Sequence, residues 1–438
     1  MSRATRNLLR ALTDQFIRNP FRVLWVINIF VFEYLYARVY MYSCSWPVTG
    51  KSGKDIRIAL IGDPQLTDAY SYRQNGLLLY LTQFYSDVFM KRNFKLLNYI
   101  YKPDYVLILG DIMDGGREWR DEQHPDYFDP ELKRLKHIFL LPQVEDKMIY
   151  MAGNHDIGFG PQIIPQAYKR HQHHFGDPNF SLSIANHTFI ALDTLSYSGE
   201  NESPYFQKAD KFLRDFVATD PATQPRILLT HIPLFRPDNS PCGPLRNKPL
   251  IRQGRGYQYQ NLVVESLSEH ILQSVKPVLV LSGDDHDDCV YTHTSKSLTV
   301  PEHSIATFSW LQGNIYPGFA LLAVNSDVSG VRDESAHQIG KCSLPPQLLI
   351  YKWYIWFLVI TLVGCFGMAV WNRGKRFTRD LVAESKKNDG DARRGVHKDN
   401  VGAVSLVLKV VGLGVLYFGE VLGAAIAVYA VLLTYDWL

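Results

Sequence analysis

Apolar positions in this chain come in blocks, and three of the blocks are long. Val23–Tyr42 is apolar and aromatic, interrupted by Glu33 and Arg38, and it follows Arg3, Arg6, Arg10, Arg18 and Arg22. Leu348–Trp371 is a second run, rich in Trp and Tyr at its start. A third, from Ala403 to Leu433, is broken by Lys409 and Glu420, so its spanning part is expected at Val410–Leu433. About 20 apolar residues in helical form cross the hydrocarbon core of a bilayer. The first run predicts an uncleaved signal anchor; a cleaved signal peptide is the alternative, although Ser43–Pro47 makes a poor cleavage site. The second and third predict transmembrane helices.

Shorter blocks of β-branched and aliphatic residues stop abruptly at polar ones. Ile56–Ile61 precedes Gly62-Asp63, Tyr105–Leu109 precedes Gly110-Asp111, and Met148–Ala152 precedes Gly153-Asn154. Arg226–Leu229 before Thr230-His231 and Val278–Leu281 before Gly283-Asp284 repeat the pattern. Such runs read as buried strands. Between them Asp87–Tyr101, Pro130–Phe139, Lys208–Val217 and Asn261–Gln273 have the periodicity of amphipathic helices. The alternation predicts an α/β domain over residues 55–330, with its site at the carboxyl ends of the strands. Hairpin-like patterns over Phe180–Asp193 and Thr294–Val324 predict a mixed rather than a purely parallel sheet.

Composition narrows the function more than the fold. With 438 residues and 46% hydrophobic content the chain can bury a sizeable core, and 46 Lys+Arg against 43 Asp+Glu give no reason to expect a nucleic-acid partner. The distribution of charge matters more. Arg373, Lys375, Arg376, Arg379, Lys386, Lys387, Arg393, Arg394 and Lys398 lie between the second and third apolar runs. Basic flanks stay cytosolic, which puts the N-terminus, 1–22, and the loop 372–402 in the cytosol and Ser43–Pro346 across the membrane, in a secretory lumen. Glycosylation sequons begin at Asn179, Asn186 and Asn201 in that segment. Cys44, Cys242, Cys289 and Cys342 also lie there and can pair in three ways; Cys365 falls in the second apolar run.

Read in order, the strand ends carry Asp63-Pro64-Gln65, Gly110-Asp111, Gly153-Asn154-His155-Asp156, Thr230-His231 and Gly283-Asp284-Asp285-His286. A single Gly-Asp pair is most often a turn. Five such fragments in this order resemble the calcineurin-like metallophosphoesterases, whose motifs run Asp-x-His, Gly-Asp, Gly-Asn-His-Asp/Glu, His and Gly-His-x-His. The resemblance covers Ile56 to His293 and implies a four-layer α/β/β/α sandwich that holds two divalent metal ions. It assigns Asp63, Gln65, Asp111 and His286 to one ion and Asp111, Asn154, His231 and Asp284 to the other, with Asp111 bridging. His155 would be the catalytic imidazole and Asp156 its orienting partner. Two cations about 4 Å apart neutralise a phosphate ester and generate hydroxide near neutral pH, and a neighbouring imidazole can protonate the departing oxygen.

Gln65 and Asp284 stand where the general pattern has His. Both changes put oxygen in place of nitrogen, which favours Mn²⁺ or Mg²⁺ over Zn²⁺; the alternative is a decayed site. The text around the motifs, including Gly110–Arg117, Thr230–Arg236, Gly254–Gln260 and Ser282–Asp287, resembles a membrane subgroup of the family. Its fungal members share the Asp-Asp-His-Asp form, and the resemblance implies removal of an ethanolamine-phosphate branch from a mannose of GPI-anchor glycans, with Mn²⁺. The substrates would be GPI-anchored proteins or the GPI glycan, in the endoplasmic reticulum or early Golgi, with cargo receptors as possible partners. Arg117 and Arg236 are candidates to clamp a phosphate or the glycan, against structural ion pairs. Tyr257 and Tyr259 are candidates for a sugar platform, against loop packing. Asp285, Asp287 and Asp288 read as supporting groups, with Asp285 the substitute for Asp284 if the loop is shifted. His171, His173 and His174 lie outside the motif order. The competing functions are a lumenal phosphomonoesterase and a non-catalytic membrane adaptor for GPI-anchored cargo. The calcineurin branch has Arg before its Gly-Asn-His and Asp-Arg-Gly after its second motif, where this chain has Ala152 and Asp114-Gly115-Gly116.

Overall fold

The computed structural model describes residues 18–119, 127–142, 144–295, 298–388 and 401–437. The chain divides into a helical unit drawn from both of its ends and a second unit, Ala37–Gln347.

The second unit carries two mixed sheets. The first has the order β13-β12-β1-β2-β3, formed by β1 (Asp55–Ile61), β2 (Tyr105–Ile108), β3 (Met148–Tyr150), β12 (Gly318–Asn325) and β13 (His337–Ser343). The second has the order β10-β11-β9-β6-β5-β4, formed by β4 (Phe180–Ile184), β5 (His187–Ala191), β6 (Arg226–Leu229), β9 (Leu279–Ser282), β10 (Cys289–Ser295) and β11 (Leu298–Ser304). A small ribbon pairs β7 (Arg255–Gly256) with β8 (Tyr259–Gln260). Strands β1, β2 and β3 run parallel, as do β5, β6, β9 and β11. Their carboxyl ends therefore gather the polar residues that follow them.

The layers follow from which faces are apolar. Between the sheets, Ile58, Leu60 and Leu107 of the first meet Phe189, Ile227, Leu229, Leu279 and Leu281 of the second. On the outer face of the second sheet, Ile190, Leu228, Val280 and Val300 pack against Leu213 and Phe216 of helix Pro204–Thr219 and Ile271 and Leu272 of helix Glu265–Val275. On the outer face of the first, helices Gly76–Tyr101 and Phe128–Phe139 meet through Phe94 and Phe139, and Phe139 reaches Phe308. This is the four-layer α/β/β/α sandwich. Each fully buried Leu, Ile or Phe side chain contributes roughly 1.5–3 kcal/mol.

Some elements differ from the sequence reading. Thr294–Val324 does not make one hairpin pattern: β10 and β11 pair antiparallel, while β12 crosses to the other sheet and pairs with β1, Leu322 opposite Ile58. Every residue of β12 is buried, because it faces the inter-sheet core on one side and helices on the other. The helix expected from Asp87 begins at Gly76; its first turns leave Leu77, Leu78 and Tyr80 exposed and so lack the amphipathic signal. The basic segment expected as a loop over 372–402 is helical as far as Asn388, since it continues the apolar helix with good helix formers and no Pro. Residues 389–400 of that segment lie outside the described residues. The cysteines pair Cys44–Cys342 and Cys242–Cys289, and Cys365 is free and buried.

Three helices are long and apolar enough to cross a membrane, at Pro20–Tyr42, Gln347–Asp380 and Ser405–Tyr435. The first is wound as a π-helix over Phe30–Leu35, and Glu33 within that stretch is buried, accepting from the Tyr354 hydroxyl at 2.8 Å. Glu33 is thus satisfied by a neighbouring helix, as an apolar setting requires. Trp25 Nε1 donates to Thr361 Oγ1 at 2.8 Å and its ring meets Phe357, so the first two apolar helices are packed side by side.

Candidate metal centre

Each strand end delivers its polar residues through a sharp turn. Asp63, Gln65, Asp111, Asp284 and His286 all have positive φ, between 40° and 63°. Non-glycine residues hold that conformation at a cost of roughly 1–3 kcal/mol each, and such outliers concentrate at functional sites. Glycines make room between them. A Cβ on Gly110 would lie 2.5 Å from His231 Nδ1, and one on Gly153 would lie 2.1 Å from Asp111 Oδ1. Only glycine lets these loops close on one another.

The residues converge. Atoms of Asp63, Asp111 and His286 lie within 4.8 Å of one another. Gln65 Nε2 donates to Asp111 Oδ2 at 2.7 Å, joining Gln65 to this group. On the other side of Asp111, His231 Nε2 is 3.2 Å from Asp111 Oδ1, 3.2 Å from Asn154 Oδ1 and 3.7 Å from Asp284 Oδ1. Two donor clusters therefore share Asp111. The backbone N–H of Asp284 donates to Asp63 Oδ1 at 3.0 Å and binds the two sheets' loops together.

The chemistry of this donor set fits cations. His231 Nδ1 lies 2.8 Å from the Leu109 carbonyl oxygen, which can only accept, so Nδ1 carries the proton and Nε2 turns its lone pair toward three oxygens. Such a cluster is repulsive until a positive charge enters it. Asp63 Oδ2 and Gln65 Oε1 are buried without a hydrogen-bond partner among the described residues. Leaving such acceptors bare costs roughly 1–3 kcal/mol apiece. Burial, followed by the charge of Asp111 against the pull of His231, raises Asp63 well above the ordinary carboxylate range and Asp284 to about 7. Burial also pushes His231 down, but Asp111, Asp63 and Asp284 outweigh it and lift its pKa well above the usual imidazole value. Burial and the nearby Lys248 lower His286 to about 3, so that ring is neutral.

His155 stands beside the cradle, with its backbone N–H on Asp111 Oδ1 at 2.9 Å. Its ring is held by Asp114: Nδ1 makes a short contact with the Asp114 carbonyl oxygen and lies 3.3 Å from Oδ1. This corrects the assignment of Asp156 as orienting partner. Asp156 is occupied by the backbone N–H groups of Gly153, Met113 and Ile112 at 2.8, 3.0 and 3.1 Å, because it caps the short helix Asn154–Ile157 and ties it to the β2 loop. Asp114 carries no such role in the sequence reading, although a carboxylate three residues after Asp111 was there to signal it. Gln258, within the Gly254–Gln260 text but given no role there, positions Asn154: its carbonyl accepts from Asn154 Nδ2 at 3.0 Å, and its side chain accepts from Phe159 N.

The substrate candidates divide. Arg236 is fully buried, paired with Glu302 at 3.1 Å and stacked over Tyr291, so it holds the core rather than a ligand. Arg117 donates to the Asn154 carbonyl at 3.0 Å and lines a cavity of about 650 Å³ with His155, Asp114, Tyr70, Tyr72, Arg73 and Gln312. Tyr259 folds over Gly256, where a Cβ would lie 1.9 Å from its ring, whereas Tyr257 is 66% exposed. The supporting acidic residues are engaged, Asp285 with Arg246 and Asp288 with Lys341, so Asp285 does not replace Asp284. His171 is buried in helix Pro165–Phe175 against Phe175, apart from the cradle.

Two sheets that present an Asp-rich cradle with a held imidazole beside it define a metal-dependent phosphoesterase. Residues 56–288 match the calcineurin-like phosphoesterase family, and the chain belongs to it. It is 31% identical over 356 residues to cell division control protein 1 of Saccharomyces cerevisiae, covering 77% of this chain and 72% of that protein. Metallophosphoesterase 1 of Danio rerio is 26% identical over 384 residues, covering 82% of this chain and 94% of its own length. The Metallophosphoesterase 1 homolog of Caenorhabditis elegans is 26% identical over 340 residues, covering 76% and 86%. Enzymes of this family hydrolyse phosphoesters with divalent metal ions, and this chain is such a hydrolase.

Proposed function

We propose that the protein is a phosphodiesterase that removes an ethanolamine-phosphate branch from a mannose of the GPI-anchor glycan, on the lumenal side of the endoplasmic reticulum or early Golgi. The observation that carries this reading is the open cavity beside His155, lined by tyrosines and arginines and large enough for a sugar with its phosphate. The membrane-subgroup text around the motifs and the three apolar helices support it.

Asp63, Gln65, Asp111, Asn154, His231, Asp284 and His286 would hold two divalent ions, which supply charge neutralisation and an acidified water. The oxygen-rich set favours Mn²⁺. The rest is the work of side chains. Asp111 sets the spacing of both clusters and holds the backbone of His155. With Nδ1 turned to Asp114, His155 directs Nε2 away from that carboxylate. As water adds to phosphorus and the bond to the mannose oxygen breaks, Nε2 gives its proton to the departing oxygen. Arg117, at the cavity wall, takes a phosphate oxygen, and Tyr257 offers the sugar an apolar face. GPI-anchored proteins are then the substrates, and receptors for such cargo the natural partners.

Mass spectrometry of GPI glycans from cells lacking the protein should show retained ethanolamine phosphate, restored to normal by the wild-type chain and not by Asp111→Asn. An unchanged glycan profile would sink the proposal. Elemental analysis of active protein should return manganese; activity with zinc alone would count against the metal assignment.

A further inference from the structure

Beyond the ligands, the loop after β9 runs on through Asp287 and Asp288, and its acidic side chains hold a distant segment. Asp285 pairs with Arg246 through both guanidinium nitrogens, Nη2–Oδ1 at 3.2 Å. Asp287 Oδ2 accepts the backbone N–H groups of Asn247 and Lys248 at 2.7 and 2.6 Å. Its Oδ1 takes Asn314 Nδ2 at 3.1 Å. The cystine Cys242–Cys289 adds a covalent tie at the base of the same segment. Residues 246–248 are thus stapled to the loop that carries Asp284 and His286.

The Lys248 side chain takes no part in the staple. Its ammonium donates to the Gln312 carbonyl oxygen at 3.1 Å, and Gln312 lines the cavity with His155 and Arg117. The staple adjoins the turn that carries His286, because Asn314 Nδ2, which donates to Asp287 Oδ1, also donates to the His286 carbonyl oxygen at 2.9 Å. An ammonium has three protons, so two remain beyond the one given to Gln312. Neutralising Asp285 does not require it, since Arg246 already does so.

We infer that Lys248 is a phosphate-binding residue, an ammonium brought to the rim of the metal cradle by the stapled segment to hold a non-bridging oxygen of the phosphodiester. The inference rests on the phosphodiesterase reading above. A lysine suits the task because a compact charge on a flexible stem follows an oxygen as the phosphorus centre changes geometry.

The test uses the full chain in detergent, with inorganic phosphate as the binding probe and bis(4-nitrophenyl) phosphate as a generic diester. Lys248→Ala should weaken phosphate binding by calorimetry, and lower kcat/KM, by roughly 10- to 100-fold, as expected for losing one charged hydrogen bond. Metal content should stay unchanged, and Lys248→Arg should recover part of the loss. Arg246→Gln keeps the ammonium but loosens the segment, and should give an intermediate deficit. Unchanged phosphate affinity in Lys248→Ala overturns the inference, as does loss of metal from both Lys248 variants. If wild-type protein binds phosphate but leaves the diester intact, the phosphodiesterase reading fails, and phosphate affinity alone then decides the role of Lys248.

Discussion

In the proposed reaction a proton donor must keep its proton until the leaving oxygen needs it, and the surroundings of His155 suit that task. Burial alone would strip the proton, but the charge of Asp111 and the hydrogen bond to Asp114 outweigh burial and Arg117, and raise the imidazole to about 9. Cations held at Asp111 would cancel the first of these two supports and repel the imidazolium, leaving Asp114 as its main stabiliser. The alkaline limb of the pH–rate profile should therefore lie below about 9. Asp114→Asn should shift that limb to lower pH, because the weakened imidazolium gives up its proton sooner. His155→Ala should keep both metals and cut turnover by roughly 10²- to 10⁴-fold on an alkoxide leaving group. The loss should be smaller on a nitrophenyl diester, whose oxygen departs unprotonated. Equal losses on both substrates, or an Asp114→Asn profile that does not move, would argue against the acid role. Among these residues the motif-bearing ones are readable in one dimension. The part Gln258 plays is not, since its contact with Asn154 spans 104 positions and only the fold brings the two together.

Two of the ligand-bearing strand ends are clamped by a third strand. Glu302 on β11 accepts from the backbone N–H of Leu234, just after His231, at 3.2 Å, and from Ser282, just before Gly283-Asp284, at 2.7 Å. Its charge is met by Arg236 and by His293 Nε2 at 2.6 Å. Arg236→Ala should destabilise the fold by about 3–5 kcal/mol, because it leaves a buried carboxylate without its partner. Replacing Arg236 and Glu302 together by Met should cost less. Burial raises the Glu302 pKa, yet Arg236 and His293 outweigh it and hold the carboxyl below its ordinary value. Its stabilising share is therefore complete above the ordinary Glu range and is lost as pH falls through the depressed value. In Arg236→Ala that loss should begin at higher pH. Thermal unfolding across pH checks both points, and a variant as stable as wild type would show the pair to be dispensable. The strand ends were legible because each apolar run stops at a polar residue. The place of β12 was not, since its partner β1 lies hundreds of residues away and a run apolar on both faces carries no address.

At the scale of the whole molecule, the order of charged and apolar segments makes a claim about sides of a membrane. The three apolar helices were legible from length alone, whereas orientation depends on the basic residues beside them. If those flanks are cytosolic, Ser43–Pro346 is lumenal and its accessible sequons should carry glycans. The structure separates the three sequons. Asn186 and Asn201 are exposed, but Asn179 is buried, with its Oδ1 accepting from the Asp193 N–H at 2.9 Å. Buried in this way, its side chain is withheld from a transferase once the domain has folded. Protein from a eukaryotic host should therefore show two glycosidase-sensitive shifts, removed one each by Asn186→Gln and Asn201→Gln and left alone by Asn179→Gln. A tag placed in the segment 389–400 should be cut by protease added to intact microsomes. A protected tag together with an unglycosylated chain would invert the orientation. That outcome would also remove the proposed substrate, because a GPI glycan displayed in the lumen cannot reach a site in the cytosol.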